Sequence, residues 1–404
     1  MKGTQTVTVV AMIGVGSRYE TDKQAGLSHF TEHMLFKGTK KRPDTIDITG
    51  ELDSIGGDYN AFTTNIATGY HIKVDYKHLE NALDIVSDIY LNSKIDSKEI
   101  EREKGTIIQE LNMIEDVPMK KVSDIFYQLL YKNNSLGRDI IGSKKTVASF
   151  KRRNFINFTD RFYKSNNTVI CVSGKFNEKK LISQIKKYFS GMKKGKKPKF
   201  EKVIEKQTKP EIKIKYKKTD QTHFILGNRA YNHSHKNRFA LSLLSIILGG
   251  NMSSRLFIEV RERKGLAYYV RTGTEEYQDC GYIATQAGVE HKNLGITVKT
   301  ILKEYRKITE EEVSKKELKK AVDYIKGKSI MGFEASDAVA MFFTEQELIK
   351  GRVMTMEEIF EKIDKVTVSD IQRVARDIFK TNKLNLAVIG PHKNADKFKN
   401  SLKL

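Results

Sequence analysis

Residues 26–39, Gly26-Leu27-Ser28-His29-Phe30-Thr31-Glu32-His33-Met34-Leu35-Phe36-Lys37-Gly38-Thr39, hold the side chains best suited to chemistry. The apolar spacing predicts a helix over 24–36. His29 and His33, four apart on it, then leave one face about a turn from each other, as two zinc ligands require. Glu32 falls on the neighbouring face, where a carboxylate can take a proton from water held by a metal without itself binding the metal. A third ligand must come from another element. Glu103 and Glu110, seven apart on a predicted helix over 96–116, share a face beside the apolar Ile107, Ile108 and Leu111. A carboxylate on the buried side of that helix needs a partner such as a metal. The plainer reading stays open at this point: two solvated histidines on one helix face, Glu32 a surface charge, and Glu103 an exposed charge beside Lys104.

These residues must be positioned by a scaffold, and the pattern along the chain predicts one. Strands are expected over 6–13, as a pair around turn residues within 57–74, and over 223–226, 281–289 and 384–389. Helices are expected over 78–92, 238–248 and 293–308. Asp96-Ser97-Lys98-Glu99 reads as a capping box opening the helix that Pro118 stops after Asp116. The fold class is α+β: two similar domains, each a mostly antiparallel sheet with helices packed on it. The domains are expected at 1–190 and 208–404, joined by a basic linker over 191–207. The recurring order of strand, helix, strands and helix suggests an internal duplication.

The 404 residues, 39% of them hydrophobic with 20 Phe and 17 Tyr, are enough for two or three cores and exclude wholesale disorder. No run of eighteen or more apolar residues occurs, so no membrane-spanning helix is expected. Lys2 ahead of 7–13 has the look of a weak leader. No small-residue cleavage site follows it, and Val7-Thr8-Val9-Val10 reads better as a buried strand. Two cysteines, Cys171 and Cys280, fit a reducing, cytoplasmic setting better than a disulfide framework. With 72 Lys and Arg against 50 Asp and Glu, the net charge is +22. Its lysines read as spread over helix faces, densest at Lys193-Lys194-Gly195-Lys196-Lys197-Pro198-Lys199, so a solvated surface is expected and a nucleic-acid partner is not. Other motifs fail: Tyr19 stands where a dinucleotide fingerprint needs glycine, Val322 where a phosphate loop does, and no Gly-x-Ser-x-Gly elbow occurs. His233 and His235 suit at most adventitious metal.

Gly26 to Thr39 resembles the inverted zinc motif of the insulinase, pitrilysin and mitochondrial processing peptidase family of metallopeptidases. Residues 34–109 separate His33 from Glu110, the interval at which that family places its third ligand. The resemblance implies His29, His33 and Glu110 as ligands of one Zn2+ per chain, Glu32 as general base, and Glu103 as an additional glutamate that supports activity. Gly56-Gly57-Asp58-Tyr59-Asn60-Ala61-Phe62-Thr63 resembles the strand on which the family aligns its peptide, with Asn60, Ala61 and Phe62 as substrate-binding positions. The physical logic is strand addition, in which backbone bonds hold an extended peptide on a sheet edge. The segments over 249–257 and 259–268 resemble the family's second-half stretch with an Arg and Tyr pair, here Arg261 and Tyr268. Without the resemblance, Arg261 reads as one charge in a charged helix and Tyr268 as core.

The implied activity is zinc-dependent hydrolysis of peptides enclosed in a dimeric chamber, with a homodimer as the expected assembly because the zinc motif and the Arg/Tyr pair stand in one chain. The alternative is a noncatalytic peptide-binding subunit, as some relatives are. One departure stands out: members of the family begin with a further strand or hairpin ahead of the segment matching residues 7–17. Either this start is truncated or the first sheet manages with one strand fewer.

Overall fold

The computed structural model describes residues 1, 3–395, 398 and 401–404. Lys2 of the leader reading, and Asp396, Lys397, Lys399 and Asn400 in the C-terminal tail, lie outside the described residues. The chain forms two compact units, and neither is a contiguous half. One comprises Met1–Asn112, Arg138–Glu201 and Ile330–Val353; the other comprises Met113–Gly137, Lys202–Ser329 and Met354–Leu404.

In chain order the first unit opens with β1 (Thr6–Ile13), α1 (Leu27–Leu35), α2 (Thr45–Ser54), β2 (Asp58–Thr63), β3 (Thr68–Asp75), α3 (Leu79–Asn92) and α4 (Ser97–Glu115). The next helix, α5 (Pro118–Leu130), belongs to the second unit, while α6 (Lys144–Ser149), α7 (Arg152–Phe162), β4 (Thr168–Gly174) and α8 (Glu178–Tyr188) return to the first. The second unit continues with β5 (Glu211–Tyr216), β6 (Thr222–Ala230), α9 (Arg238–Gly249), β7 (Ala267–Glu276), β8 (Gly281–Val289), α10 (Leu294–Glu310) and α11 (Lys315–Gly332). Then α12 (Ser336–Glu345) crosses to the first unit, and α13 (Met356–Asp364), α14 (Val368–Ile378) and β9 (Leu384–Gly390) close the second.

The first sheet is ordered β2-β3-β1-β4 and is wholly antiparallel; the second is ordered β5-β9-β6-β8-β7, with only the β5–β9 pair parallel. Read from the β2 and β7 edges the two orders superpose, and β5 has no counterpart in the first sheet among the described residues. Among the described residues that sheet therefore holds one strand fewer than the second. The exchanged helices carry the duplication further: α5 packs on β9, β6 and β5, and α12 packs on β1 and β4. An amphipathic helix covers whichever sheet its tether lets it reach, so contiguity in sequence does not choose its unit.

β1 sits inside its sheet, with β3 on one side and β4 on the other, and is buried along almost its whole length. That position explains its run of apolar and β-branched residues. Alternation sends Thr8, Val10 and Met12 to the face under α12, where Ser336 Oγ lies 2.8 Å from Thr8 Oγ1 and Asp337 meets Lys73 at 2.9 Å. α3 also packs on β1 and β3. The capping box at Asp96 forms by half: Asp96 Oδ1 accepts from Lys98 N at 2.7 Å, while Glu99 turns instead to Arg102. Pro118 ends one helix and begins the next, as N-terminal residue of α5, where its missing N–H costs nothing. No helix of the described residues is long and apolar enough to cross a membrane.

Candidate metal centre

α1 is shorter than the expected 24–36 because Gly26 breaks the pattern. Its φ of 94° is left-handed, and a Cβ there would lie 2.5 Å from the carbonyl oxygen of Ile141. Gly142, also left-handed, presses back against Ala25 O, so two glycines allow the loop before α6 to touch the start of α1. The helix then opens on a buried carboxylate: Glu20 accepts from Gly26 N at 2.9 Å and Ser28 N at 2.6 Å. Burial pushes the Glu20 carboxyl up to about 7, against the pull of those amides and of Arg138. Leu27, Phe30, Met34 and Leu35 are buried, and Phe30 packs edge-on against Phe155. This apolar stripe turns His29 and His33 to the opposite side, with their rings 4.6 Å apart.

α4 brings the carboxylates. Glu110 Oε2 lies 3.6 Å from His29 Nε2 and 3.8 Å from His33 Nε2. Among the described residues, His29, His33 and Glu110 are the group of three or more potential ligands whose donor atoms all fall within 4.8 Å of one another. Ligand atoms around a tetrahedral zinc with bonds of about 2.1 Å stand about 3.4 Å apart, so two imidazole nitrogens and one carboxylate at these separations fit such an ion. Glu103, one pair of turns earlier and almost fully buried, does not join the trio. Its Oε1 accepts from His33 Nδ1 at 2.9 Å and its Oε2 from Lys37 Nζ at 2.7 Å. A carboxylate in that position fixes the ring and leaves Nε2 free to bind. Burial alone would raise Glu103, but the His33 and Lys37 bonds outweigh it and hold the carboxyl low.

The electrostatics separate the two histidines. Burial first, then the charge of His33, push the His29 imidazole down to about 3, which keeps it in the neutral form that binds metals. Burial disfavours the charged form of His33 too, yet the bond to Glu103 and the surrounding carboxylates outweigh it and raise its value. Glu32 is buried beside them, with its Oε2 accepting from Thr63 Oγ1 at 2.5 Å. Desolvation is the main cause that lifts its carboxyl above the ordinary range, against the Thr63 bond and the His33 charge.

Thr63 ends β2, so the strand expected to hold peptide is tied directly to Glu32. β2 is the edge of its sheet, with Asn60, Ala61 and Phe62 opposite His71, Tyr70 and Gly69. On its other side no strand pairs with it among the described residues. Phe62 lies over Gly69, where a Cβ would come within 2.4 Å of the ring, so a side chain at 69 would displace the Phe62 ring. Sequence reasoning left out three residues of this centre: Thr63, Lys37 and Glu20. Thr63 and Lys37 stood in the motifs already quoted, but nothing in their spacing assigned them partners.

Arg261 and Tyr268 lie in the second unit and are neighbours, with the guanidinium 5.6 Å from the Tyr268 ring and 4.8 Å from that of Phe257. Tyr268 is not core: it is 76% exposed. The register of β7 against β8 shifts between Ala267 and Tyr269, so Tyr268 is the extra residue of a bulge and its side chain is re-aimed outward. Charged sequence around it gave no sign of this irregularity.

Two α+β units of matching strand order, with a two-histidine, one-carboxylate cluster on the first alone among the described residues, define a duplicated scaffold bearing one metal-type centre. Comparison with known proteins gives it a family. Residues 1–144 match the family model described as insulinase, peptidase family M16, and residues 149–325 match the one described as the peptidase M16 inactive domain. The uncharacterized zinc protease YmxG of Bacillus subtilis is 33% identical over 391 residues, covering 96% of this chain and 94% of that protein. A second zinc protease, from Streptomyces coelicolor, is 32% identical over 386 residues, covering 94% and 84%. The crystal structure of a protease from Helicobacter pylori shares the fold, with a TM-score of 0.90 at 23% identity over 97% of this chain and 95% of that one. The chain belongs to the M16 family of peptidases.

Proposed function

We propose that this protein is a zinc-dependent peptidase that hydrolyses peptides laid as an added strand along β2. The reading is carried by the convergence of His29, His33 and Glu110 within 4.8 Å beside the buried carboxyl of Glu32. Relatives named as zinc proteases support zinc as the ion, and one candidate ligand group among the described residues supports one ion per chain. Bound there, zinc would polarise the scissile carbonyl and lower the pKa of water. His29 and His33 offer Nε2 and Glu110 offers a carboxylate oxygen. Glu103 holds His33 in orientation and Lys37 holds Glu103. Glu32, lifted by burial, takes a proton from the attacking water and returns it to the leaving amine, so acid and base work fall to one group. Thr63 keeps that carboxyl pointed at the end of the peptide strand. Asn60, Ala61 and Phe62 supply the edge against which the substrate backbone pairs.

Arg261 and Tyr268 complete the reading as substrate-holding and oxyanion-stabilising groups in a homodimeric chamber, with the chain working in a cytoplasmic, reducing setting where Cys171 and Cys280 stay as thiols, not joined in a disulfide. The family model described as inactive matches residues 149–325, and the residues proposed for chemistry in the first unit lie in 1–144 and its immediate frame. The decisive test is Glu32→Gln. Metal analysis should find one zinc per chain in both proteins, while cleavage of a mixed peptide library falls by about 10²- to 10⁴-fold in the variant. Wild-type turnover by Glu32→Gln would sink Glu32 as the base, and no cleavage by the zinc-loaded native protein would leave the noncatalytic reading.

A further inference from the structure

The basic excess, expected to be spread over helix faces, is concentrated in one stretch of the first unit. Between Lys151 and Lys199, 15 Lys and Arg stand against 2 Asp and Glu, a net +13 of the total +22. The remaining 355 residues hold 57 against 48, a net of only +9. Packing folds the end of this stretch back onto its beginning. The C-terminal end of α8, with exposed Lys186 and Lys187, leads into the expected linker, and Lys193 O accepts from Ser165 N at 3.0 Å. Gly195 N then donates to Asn166 Oδ1 at 3.1 Å. The Lys-rich segment thus lies against the turn that ends α7. There Asp160, the one acid on that helix, is held low by Lys164 and Lys193.

Apolar side chains are interleaved with the charges. Ile182 on α8 is 48% exposed, with Lys179 one turn before it and Lys186 one turn after it on the same face. Phe176, just ahead of α8, is 39% exposed beside Lys175, and α7 exposes Ile156 in the same way. Among the 15 cations 12 are lysine, the compact point charge, and only 3 are arginine, the fork suited to bidentate phosphate and base recognition. A diffuse lysine field studded with exposed aliphatic and aromatic groups complements an anionic bilayer surface, whose headgroups attract the lysines while its acyl boundary accepts the apolar tips.

We infer that the α7–α8–linker face of the first unit docks the protein on acidic phospholipid membranes, peripherally and without a spanning segment. The docking is separate from the metal centre, and none of the residues it uses is placed in the peptidase machinery. Its strength falls with salt, because exposed charges are screened within about 8 Å at physiological ionic strength.

Sedimentation of the full-length protein with vesicles of phosphatidylglycerol and phosphatidylcholine, against vesicles of phosphatidylcholine alone, tests the inference. The protein should partition onto the acidic vesicles at least tenfold more strongly, and 0.5 M salt should release it. The combined variant K179E/K186E/K194E should lose that preference by tenfold or more. The matched reversal K299E/K303E/R306E, on exposed positions of α10, should keep it. Ile182→Asn should weaken partitioning a few-fold. Equal binding to both vesicle types, equal loss in the α10 control, or an unchanged Ile182→Asn would each overturn the inference. So would duplex DNA that displaces the protein from acidic vesicles at equal phosphate concentration, since the face would then serve a nucleic acid. Circular dichroism and thermal melting establish that each variant is folded, and zinc content checks that the metal centre is untouched.

Discussion

α1 and α9 occupy the same place in the two units. Each follows the inner strand, β1 or β6, and each is followed by an antiparallel pair, β2–β3 or β7–β8, that ends at a sheet edge. Their surfaces differ sharply. α9, Arg-Phe-Ala-Leu-Ser-Leu-Leu-Ser-Ile-Ile-Leu-Gly, is buried from Ala240 to Gly249 except at Ser242. α1 buries one stripe and gives its other face to His29, Glu32 and His33. The fold at this position therefore needs an apolar helix and nothing more. Burying Glu32 on α1 is a desolvation cost that α9, which carries no acid, does not bear. The histidine and carboxylate cluster stands on one copy of a scaffold that is built without it in the other.

Changes at matched positions should break the two copies differently. His33→Ala should abolish both zinc binding and peptide hydrolysis while leaving the melting temperature of the metal-free protein nearly unchanged. Leu244→Ala, in the core of the second unit, should destabilise by about 2–5 kcal/mol yet leave one zinc per folded chain. Metal analysis and denaturant melts on both proteins decide the matter. Loss of zinc from folded Leu244→Ala would mean that the copies are not independent in this sense.

A smaller effect is expected where the second unit contributes to chemistry. Tyr268→Phe removes one hydrogen-bond donor and should lower turnover by about 10²- to 10³-fold without loss of zinc. Mixing it with Glu32→Gln chains should restore activity if each centre of a homodimer is completed by the other chain. No rescue in confirmed mixed dimers would count against sharing. Glu103→Gln ranks below both, because it only loosens His33: zinc affinity should fall by about 10- to 100-fold, with activity recovered at saturating zinc. Activity lost even at saturating zinc would instead give Glu103 a direct part in the reaction.

The same contrast shows which features the sequence could carry. β1 and β8 were legible to the residue, because each is a run of apolar and β-branched residues bounded by turn signals. The histidine pair was legible because helical spacing fixes the shared face. Which of Glu103 and Glu110 approaches both imidazoles was given only by the resemblance, through the interval over 34–109, and not by helical spacing. Both lie on one face of α4, and the difference is set by how that helix leans on α1. Burial even points the wrong way, since the more deeply buried Glu103 is the one paired with Lys37. The exposure of Tyr268 depends on one extra residue between β7 and β8, which no periodicity marks. The exchange of α5 and α12 was equally hidden, because an amphipathic stripe records that a helix covers a sheet without recording which sheet.

The mildest test concerns acid. In the first unit Arg42 is buried in the segment that leaves α1, and its Nη2 donates to Asp84 and Glu51, each at 2.7 Å, while Nη1 donates to Asp88 at 2.9 Å. Burial alone would raise Asp84, but its bonds to Arg42 and Lys41 outweigh that and hold it below its ordinary value. In the second unit Arg255 grips Glu317 through two bonds of 2.8 and 3.1 Å, and these likewise hold a partly buried carboxyl low. A carboxyl whose folded value is depressed binds more protons unfolded than folded below its unfolded pKa, about 3.9 for Asp and 4.3 for Glu. Its stabilisation is complete above that pH and is lost as pH falls through the lower, folded value. Denaturant melts from pH 6 down to 3 should show stability declining below about pH 4.5. Arg42→Met and Arg255→Met should each flatten part of that decline. Only Arg42→Met should also weaken zinc binding, because Asp88, which Arg42 holds, accepts from Thr39 at 2.6 Å and so anchors the chain leaving α1. Equal zinc affinity in the two variants would detach this clamp from the metal centre and confine the difference between the units to α1 and α4 themselves.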